Sequence, residues 1–188
     1  MSRTIYVAFL EGFNPSWGEN LPARLTEWVP GPIEPLSSLA LGMDPYYAPE
    51  RGQYNATLVL ARLLRYLPEP QAKIVGLTNV DLFIPVLTFV FGQAQLEGPG
   101  ALVSTYRLRN EFYGLPPDAG LLRDRTIKEV VHELGHTFGL VHCRDYECVM
   151  HASTYVEEID LKGPGFCSAC RGGLHAATGT NATLGAGG

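Results

Sequence analysis

An α/β (α+β) domain closed by a loop-rich segment is the fold class the sequence predicts, and three observations predict it. Strand-like runs alternate with helical periodicity up to residue 142, periodicity fades beyond it, and all four cysteines lie in that last part. With 188 residues, 46% hydrophobic and 18% charged, the chain can bury a core of its own and is too apolar to be disordered.

Residues 4–10 are β-branched and aromatic enough for a first strand, and Gly12, Pro15 and Gly18 close it before a short helix over residues 21–28. A second strand falls near residues 33–41, weakened by its prolines. Leu58, Ala61, Leu64 and Leu67 recur at helical spacing, so residues 53–67 predict a helix that Pro68 ends. Strand-like runs follow at residues 72–78, at 86–91 with extension through 96, and at 101–108. The turn between the last two, Glu97, Gly98, Pro99 and Gly100, predicts a hairpin, one strand of which is a candidate sheet edge.

Thr126 followed by Glu129 fits a capping box, with a start nearer Asp124 as the alternative. The apolar face of that helix runs Ile127, Val130, Val131, Leu134 and Phe138, and Gly139 is placed to end it in a left-handed conformation. The expected division is a single domain: a sheet-and-helix part over residues 1–139, an irregular C-terminal part over 140–175, and a flexible Gly/Ala/Thr-rich tail over 176–188.

Within that helix, His132 and His136 are four residues apart and share one helical face, so both can bind one metal ion. His142 lies six residues further, off that face on a continuous helix, but a positive-φ turn at Gly139 swings it back. Three neutral nitrogen ligands leave one tetrahedral position open, the pattern of a catalytic zinc with a bound water. Such a water has a pKa of about 7, and Glu133, beside the first ligand, is placed to take its proton and return it to a leaving amine. The reaction implied is amide hydrolysis.

Fourteen basic against nineteen acidic residues give a formal charge of -5, with no basic run, which argues against a nucleic-acid partner. The N-terminus lacks the features of a secretory signal and no apolar run is long enough to cross a membrane, so no membrane partner and a cytoplasmic location are expected. In that reducing setting Cys143, Cys148, Cys167 and Cys170, spaced C-x4-C and C-x2-C, read as a closed four-thiolate structural zinc site, with disulfides, redox-active thiols or an iron centre as alternatives. Two zinc ions per chain are therefore expected. The second would pin the segment that carries His142.

The H-E-x-x-H-x-x-G-x-x-H string followed by Met150 resembles the metzincins, zinc metallopeptidases with a methionine turn beneath the metal. More narrowly, Cys143 directly after His142, then Cys148, Met150 and the final cysteine pair resembles the archaemetzincin branch. Sixteen residues separate Met150 from Cys167, one fewer than in the family pattern, a difference a loop near Gly163, Pro164 and Gly165 absorbs. The resemblance implies a twisted mixed sheet with two main helices, and an extended peptide lying along an antiparallel edge strand, here within residues 91–96.

His151 reads as a loop-bonding or exposed histidine and His175 as exposed; Tyr155 is a candidate oxyanion donor more simply explained by packing. Asp81 reads as a turn residue, Glu157, Glu158 and Asp160 as a solvated face, and the Asn181 sequon as without meaning in the cytoplasm. Two functions are carried forward. One is a monomeric zinc endopeptidase or aminopeptidase acting on peptide or protein substrates. The other is a latent or non-proteolytic peptide-binding or partner-binding protein whose metals hold the fold.

Overall fold

The computed structural model describes residues 3–13 and 15–179. In chain order, β1 (Ile5–Phe9), α1 (Leu21–Leu25) and β2 (Ile33–Pro35) precede two short strands, β3 (Tyr47–Ala48) and β4 (Gln53–Asn55), which lead into α2 (Ala56–Leu63). Five strands follow: β5 (Lys73–Thr78), β6 (Leu82–Ile84), β7 (Leu87–Val90), β8 (Gly92–Ala94) and β9 (Gly100–Ser104). Then come α3 (Ala119–Thr137), α4 (Val156–Leu161) and α5 (Ser168–Thr178).

The main sheet has the order β2-β1-β5-β9-β8. Its first four strands run parallel, and β8 runs antiparallel to β9 at one edge, with Gly92 opposite Val103 and Ala94 opposite Ala101. Parallel strands need cover on both faces, and side-chain alternation sorts the two. Ile5, Val7, Val75, Leu77, Ala101 and Val103 join the core built with α1, α3 and the C-terminal segment. Ala8, Leu10, Ile74 and Leu102 pack with Ala56, Val59, Leu60 and Leu63 of α2. A mixed sheet with two main helices is the architecture the sequence predicts.

Departures from the local reading arise where distant segments pair. Residues 53–55, expected inside a helix, form β4 beside β6 within a second sheet of order β3-β4-β6-β7, and the Asn55 side chain then caps α2 by accepting from the Leu58 N–H. The run expected as one strand over residues 86–96 divides at Phe91 between the two sheets, β7 pairing with β6 and β8 with β9. The strand expected near residues 33–41 is confined to β2, with Leu39 adding one isolated bridge to Leu10. The strand expected over 101–108 stops at Ser104, whose hydroxyl donates to the Val80 carbonyl and accepts from the Tyr106 N–H.

α3 begins well before the expected capping box. Asp118 caps it, accepting from the Leu121 N–H at 2.9 Å, and Thr126 sits mid-helix with its hydroxyl bonded back to Leu122 O. The C-terminal part, expected to be irregular, carries α4 and α5; α5 continues to Thr178, so the start of the expected tail is helical. The rest of that tail, with Asn181, lies outside the described residues. No described helix is long and apolar enough to cross a membrane.

Two acidic readings change as well. Asp81 is no simple turn residue: it receives both arms of Arg107 at 2.7 Å and the Gln53 amide at 3.0 Å. Of the supposed solvated face, Asp160 takes a two-pronged bond from Arg125 of α3 at 2.7 and 2.6 Å, and Glu158 accepts the backbone N–H groups of Thr154 and Tyr155 that open α4. Glu157 is exposed as expected.

Candidate active site and metal centres

The last turns of α3 carry His132, Glu133 and His136, and the helix stops where Gly139 takes a φ of +92°. That positive φ, expected from the sequence, redirects the chain so that His142 returns to the helix. The three ring centroids lie 4.7, 4.9 and 5.3 Å apart. The hairpin turn between β8 and β9 braces the break: Glu97 N–H donates to His136 O at 3.0 Å. From β5, the buried Lys73 ammonium donates to Thr137 O at 2.7 Å and Gly98 O at 3.1 Å, so a strand lysine caps the C-terminal end of the helix. Burial, with Arg3 nearby, pushes its pKa down to about 8.

Whether this cluster suits a metal can be decided from its hydrogen bonds. His132 Nδ1 lies 2.8 Å from Val149 O, and His136 Nδ1 lies 2.7 Å from Leu140 O. A carbonyl only accepts, so each Nδ1 carries the proton and each Nε2 is left with a lone pair. Those two Nε2 atoms face one another at 3.1 Å. Burial holds all three imidazoles below the usual histidine range, with the Lys162 charge acting in the same direction, which favours the neutral form. Two lone pairs at this distance repel unless a cation lies between them. A tetrahedral zinc with Zn–N bonds of about 2.05 Å sets its nitrogens about 3.3 Å apart, close to the spacing seen. The donor set fits zinc.

Glu133 is buried, and its carboxylate lies against the edge strand: a Cβ placed on Gly92 would come within 2.6 Å of Glu133 Oε1. Burial first, and then Glu129 one turn away, lift this carboxyl well above its ordinary value, while Lys162 opposes the rise. A buried carboxyl raised in this direction holds a proton more readily than an exposed one, which suits it to proton transfer. Beneath the helix, Met150 is fully buried, and a Cβ on Gly135 would collide with its sulfur and crowd Phe166. Gly135, the residue just before His136, is therefore small so that the methionine can pass under the helix.

Cys143, Cys148, Cys167 and Cys170 are free thiols, each contributing a sulfur to a cluster whose ligand atoms lie within 4.8 Å of one another. Cys143 Sγ and Cys167 Sγ are 3.8 Å apart, well beyond a disulfide bond and equal to the edge of about 3.8 Å expected for four thiolates on zinc. Backbone N–H groups of Asp145 and Cys167 point at Cys143 Sγ and Cys148 Sγ, the donors that support thiolate charge. This second set also fits zinc.

The two clusters are wired together through the backbone. Cys143 follows His142 and donates its N–H to Met150 O at 2.9 Å, and Cys148 precedes Val149, whose carbonyl orients His132. His151 proves loop-bonding, with Nδ1 3.1 Å from Cys143 O and its ring 4.5 Å from that of Tyr146. Tyr155 is 68% exposed at the rim of the cleft, and His175 on α5 is half-buried rather than exposed. Sequence reasoning missed Gly92, Lys73 and Lys162. Nothing local marks a strand glycine or lysine as neighbour to a helix some forty to sixty residues later. Glu129 was seen solely as a capping candidate, yet it is buried against Lys162 at 3.0 Å.

Paired imidazoles on a helix that faces an antiparallel sheet edge, with a glutamate between helix and strand, form the arrangement expected of a zinc metallopeptidase. Comparison narrows the class. Residues 39–176 match the model of Peptidase family M54, and the chain belongs to that family, the archaemetzincins. It is 46% identical to an archaemetzincin of Methanocaldococcus jannaschii over 120 residues, 64% of this chain and 65% of that protein. The match thus spans just under two thirds of that relative's length. Among solved structures, the archaemetzincin of Methanopyrus kandleri superimposes with a TM-score of 0.80 at 35% identity, covering 95% of this chain and 96% of the other. A zinc-dependent peptidase from Methanocorpusculum labreanum gives 0.77 at 31% identity, with 90% and 99% covered.

Proposed function

We propose that the chain hydrolyses peptide bonds at a zinc held by His132, His136 and His142, with Glu133 as general base and then general acid, and that a second, structural zinc is held by Cys143, Cys148, Cys167 and Cys170. The observation that carries this reading is the pair of bare Nε2 atoms 3.1 Å apart beside a buried carboxylate. Held by His132, His136 and His142, zinc would supply Lewis-acid chemistry for the scissile carbonyl and the attacking water. Glu133 accepts the proton of that water on its carboxylate and delivers it to the departing amine. The Val149 and Leu140 carbonyls fix the ring orientations of His132 and His136 and raise their basicity as ligands.

β8, at the edge of the main sheet, offers an extended peptide the unpaired side of its backbone, within residues 91–96 where the family resemblance implies the substrate edge. Substrates are peptides or proteins. The free thiols suit a reducing, cytoplasmic setting, and the site needs no second chain to complete it, consistent with a monomer.

The test is a digest of a broad peptide library with zinc supplied, run with Glu133→Gln as control. Cleavage by the wild type that vanishes in the variant supports hydrolysis by this site, and cleavage that persists identifies a contaminant. A zinc-loaded wild type that binds peptides yet cleaves none would instead favour the binding-protein reading.

Gly92 gives a second, independent check. A methyl group there would meet Glu133 Oε1 and Cγ at 2.6 and 2.7 Å and the Leu102 carbonyl at 2.8 Å, so both the carboxylate and the edge strand must shift. Gly92→Ala is expected to lower kcat about 10- to 100-fold, because a misplacement of about 1 Å costs on that order. Zinc content, measured by elemental analysis, stays at the wild-type value.

A further inference from the structure

The active-site helix carries a second buried carboxylate one turn before Glu133, and its partner lies beyond α4. Glu129 and Lys162 are 4% and 2% exposed and meet at 3.0 Å; Lys162 Nζ also donates to His151 O at 3.2 Å. Withdrawing two charges from water is expensive, and apolar residues of the same volume would hold a core at least as well. Stability alone therefore does not explain the pair.

What it joins does. Glu129 lines a cleft of about 470 Å³ together with His132, Glu133 and Gly92, and one stretch of its wall is formed by Ala152, Ser153 and Tyr155. His151 is the residue from which that wall departs, so Lys162 ties the start of the wall to the helix that bears the catalytic set. Lys162 thus links that stretch of wall to the active-site helix.

We propose that Glu129 and Lys162 are positioning residues that fix the spacing between the cleft wall and the active-site helix, setting how tightly a peptide is held without holding the metal. The inference rests on the peptide-hydrolase reading above, and its test separates the two. Lys162→Met alone strands a buried carboxylate and is prone to misfold. The informative protein is the double variant Glu129→Gln with Lys162→Met, which removes both charges at nearly constant volume.

Two arms are measured: steady-state kinetics, and the Kd of a library-selected peptide by fluorescence anisotropy on the Glu133→Gln background. The expected result is a rise of about tenfold in both KM and Kd, with kcat within about threefold and zinc at both sites unchanged, a split that uniform loss of binding produces. Unchanged KM and Kd would overturn the proposal and leave the pair as core filling. A fall in kcat that tracks zinc loss, with Kd unchanged, would overturn it in favour of metal support. If the wild type cleaves nothing, the hydrolase reading fails while the binding arm still decides this one.

Discussion

Glu133→Gln is expected to lower kcat/KM for peptide cleavage by about 10²- to 10⁴-fold, the range contributed by a positioned general acid-base group. The amide is isosteric, so it keeps the packing against Gly92 and the edge strand, and zinc content remains that of the wild type. What is lost is the proton acceptor. Because burial and Glu129 lift the Glu133 carboxyl well above its ordinary value, the acidic limb of the wild-type pH profile of kcat/KM should lie above the pH at which an exposed glutamate titrates. That limb should be absent from whatever residual activity the variant keeps. Kinetics across pH, with zinc measured in the same samples, checks both statements.

The second large effect is expected from the cysteine cluster, at a distance from the chemistry. On the proposed two-zinc reading, Cys170→Ser removes one of four zinc ligands, and the remaining three are expected to bind the ion far more weakly. Two backbone routes carry the consequence to the histidines: Cys143 is continuous with His142, and Cys148 is continuous with Val149, whose carbonyl orients His132. Loss of such outer support lowers metal affinity about 10- to 100-fold, so the Kd for zinc at the histidine site should rise by that factor. Stability should drop too. A loss of about 3 kcal/mol lowers the Tm of a chain of this size by roughly 6–12 °C. Calorimetry and competitive zinc titration read the two effects separately. A variant with normal zinc affinity at the histidines would show that the clusters are independent.

The legible part of this protein is the part whose geometry is local. The spacing of His132, His136, Gly139 and His142 spans three turns of chain, so helix periodicity and one positive φ suffice to bring the rings together, and the structure does so. The same holds for Cys143 beside His142, and for β1 and β5, whose β-branched and apolar runs mark a strand buried on both faces. Misread segments depend on partners far away. Residues 53–55 have helical neighbours and become a strand because Leu82 and Phe83 lie beside them. The run over residues 86–96 looks continuous, yet its halves belong to different sheets.

Charged residues carry the least local signal of their place in the fold. Asp81, Asp160 and Glu129 look like surface groups in sequence, and each is committed to a basic residue at least 26 positions away. Lys73 and Lys162 look like solvated lysines and are among the largest fully buried side chains. Periodicity cannot reveal such pairs, because an ion pair between distant elements leaves no repeat in either one. They matter here because Lys73 holds the active-site helix at its C-terminal end, while Lys162 joins that helix to the segment that follows His151.

One chain is expected to hold two zinc ions, three imidazoles taking one and four thiolates the other. Elemental analysis of the purified protein alongside His136→Ala and Cys167→Ser tests it most directly. Two zinc per chain are expected in the wild type, one in His136→Ala, and loss from the cysteine site with weakened retention at the histidines in Cys167→Ser. A zinc-saturated wild type that holds one ion, or a His136→Ala protein that still holds two, would contradict the account.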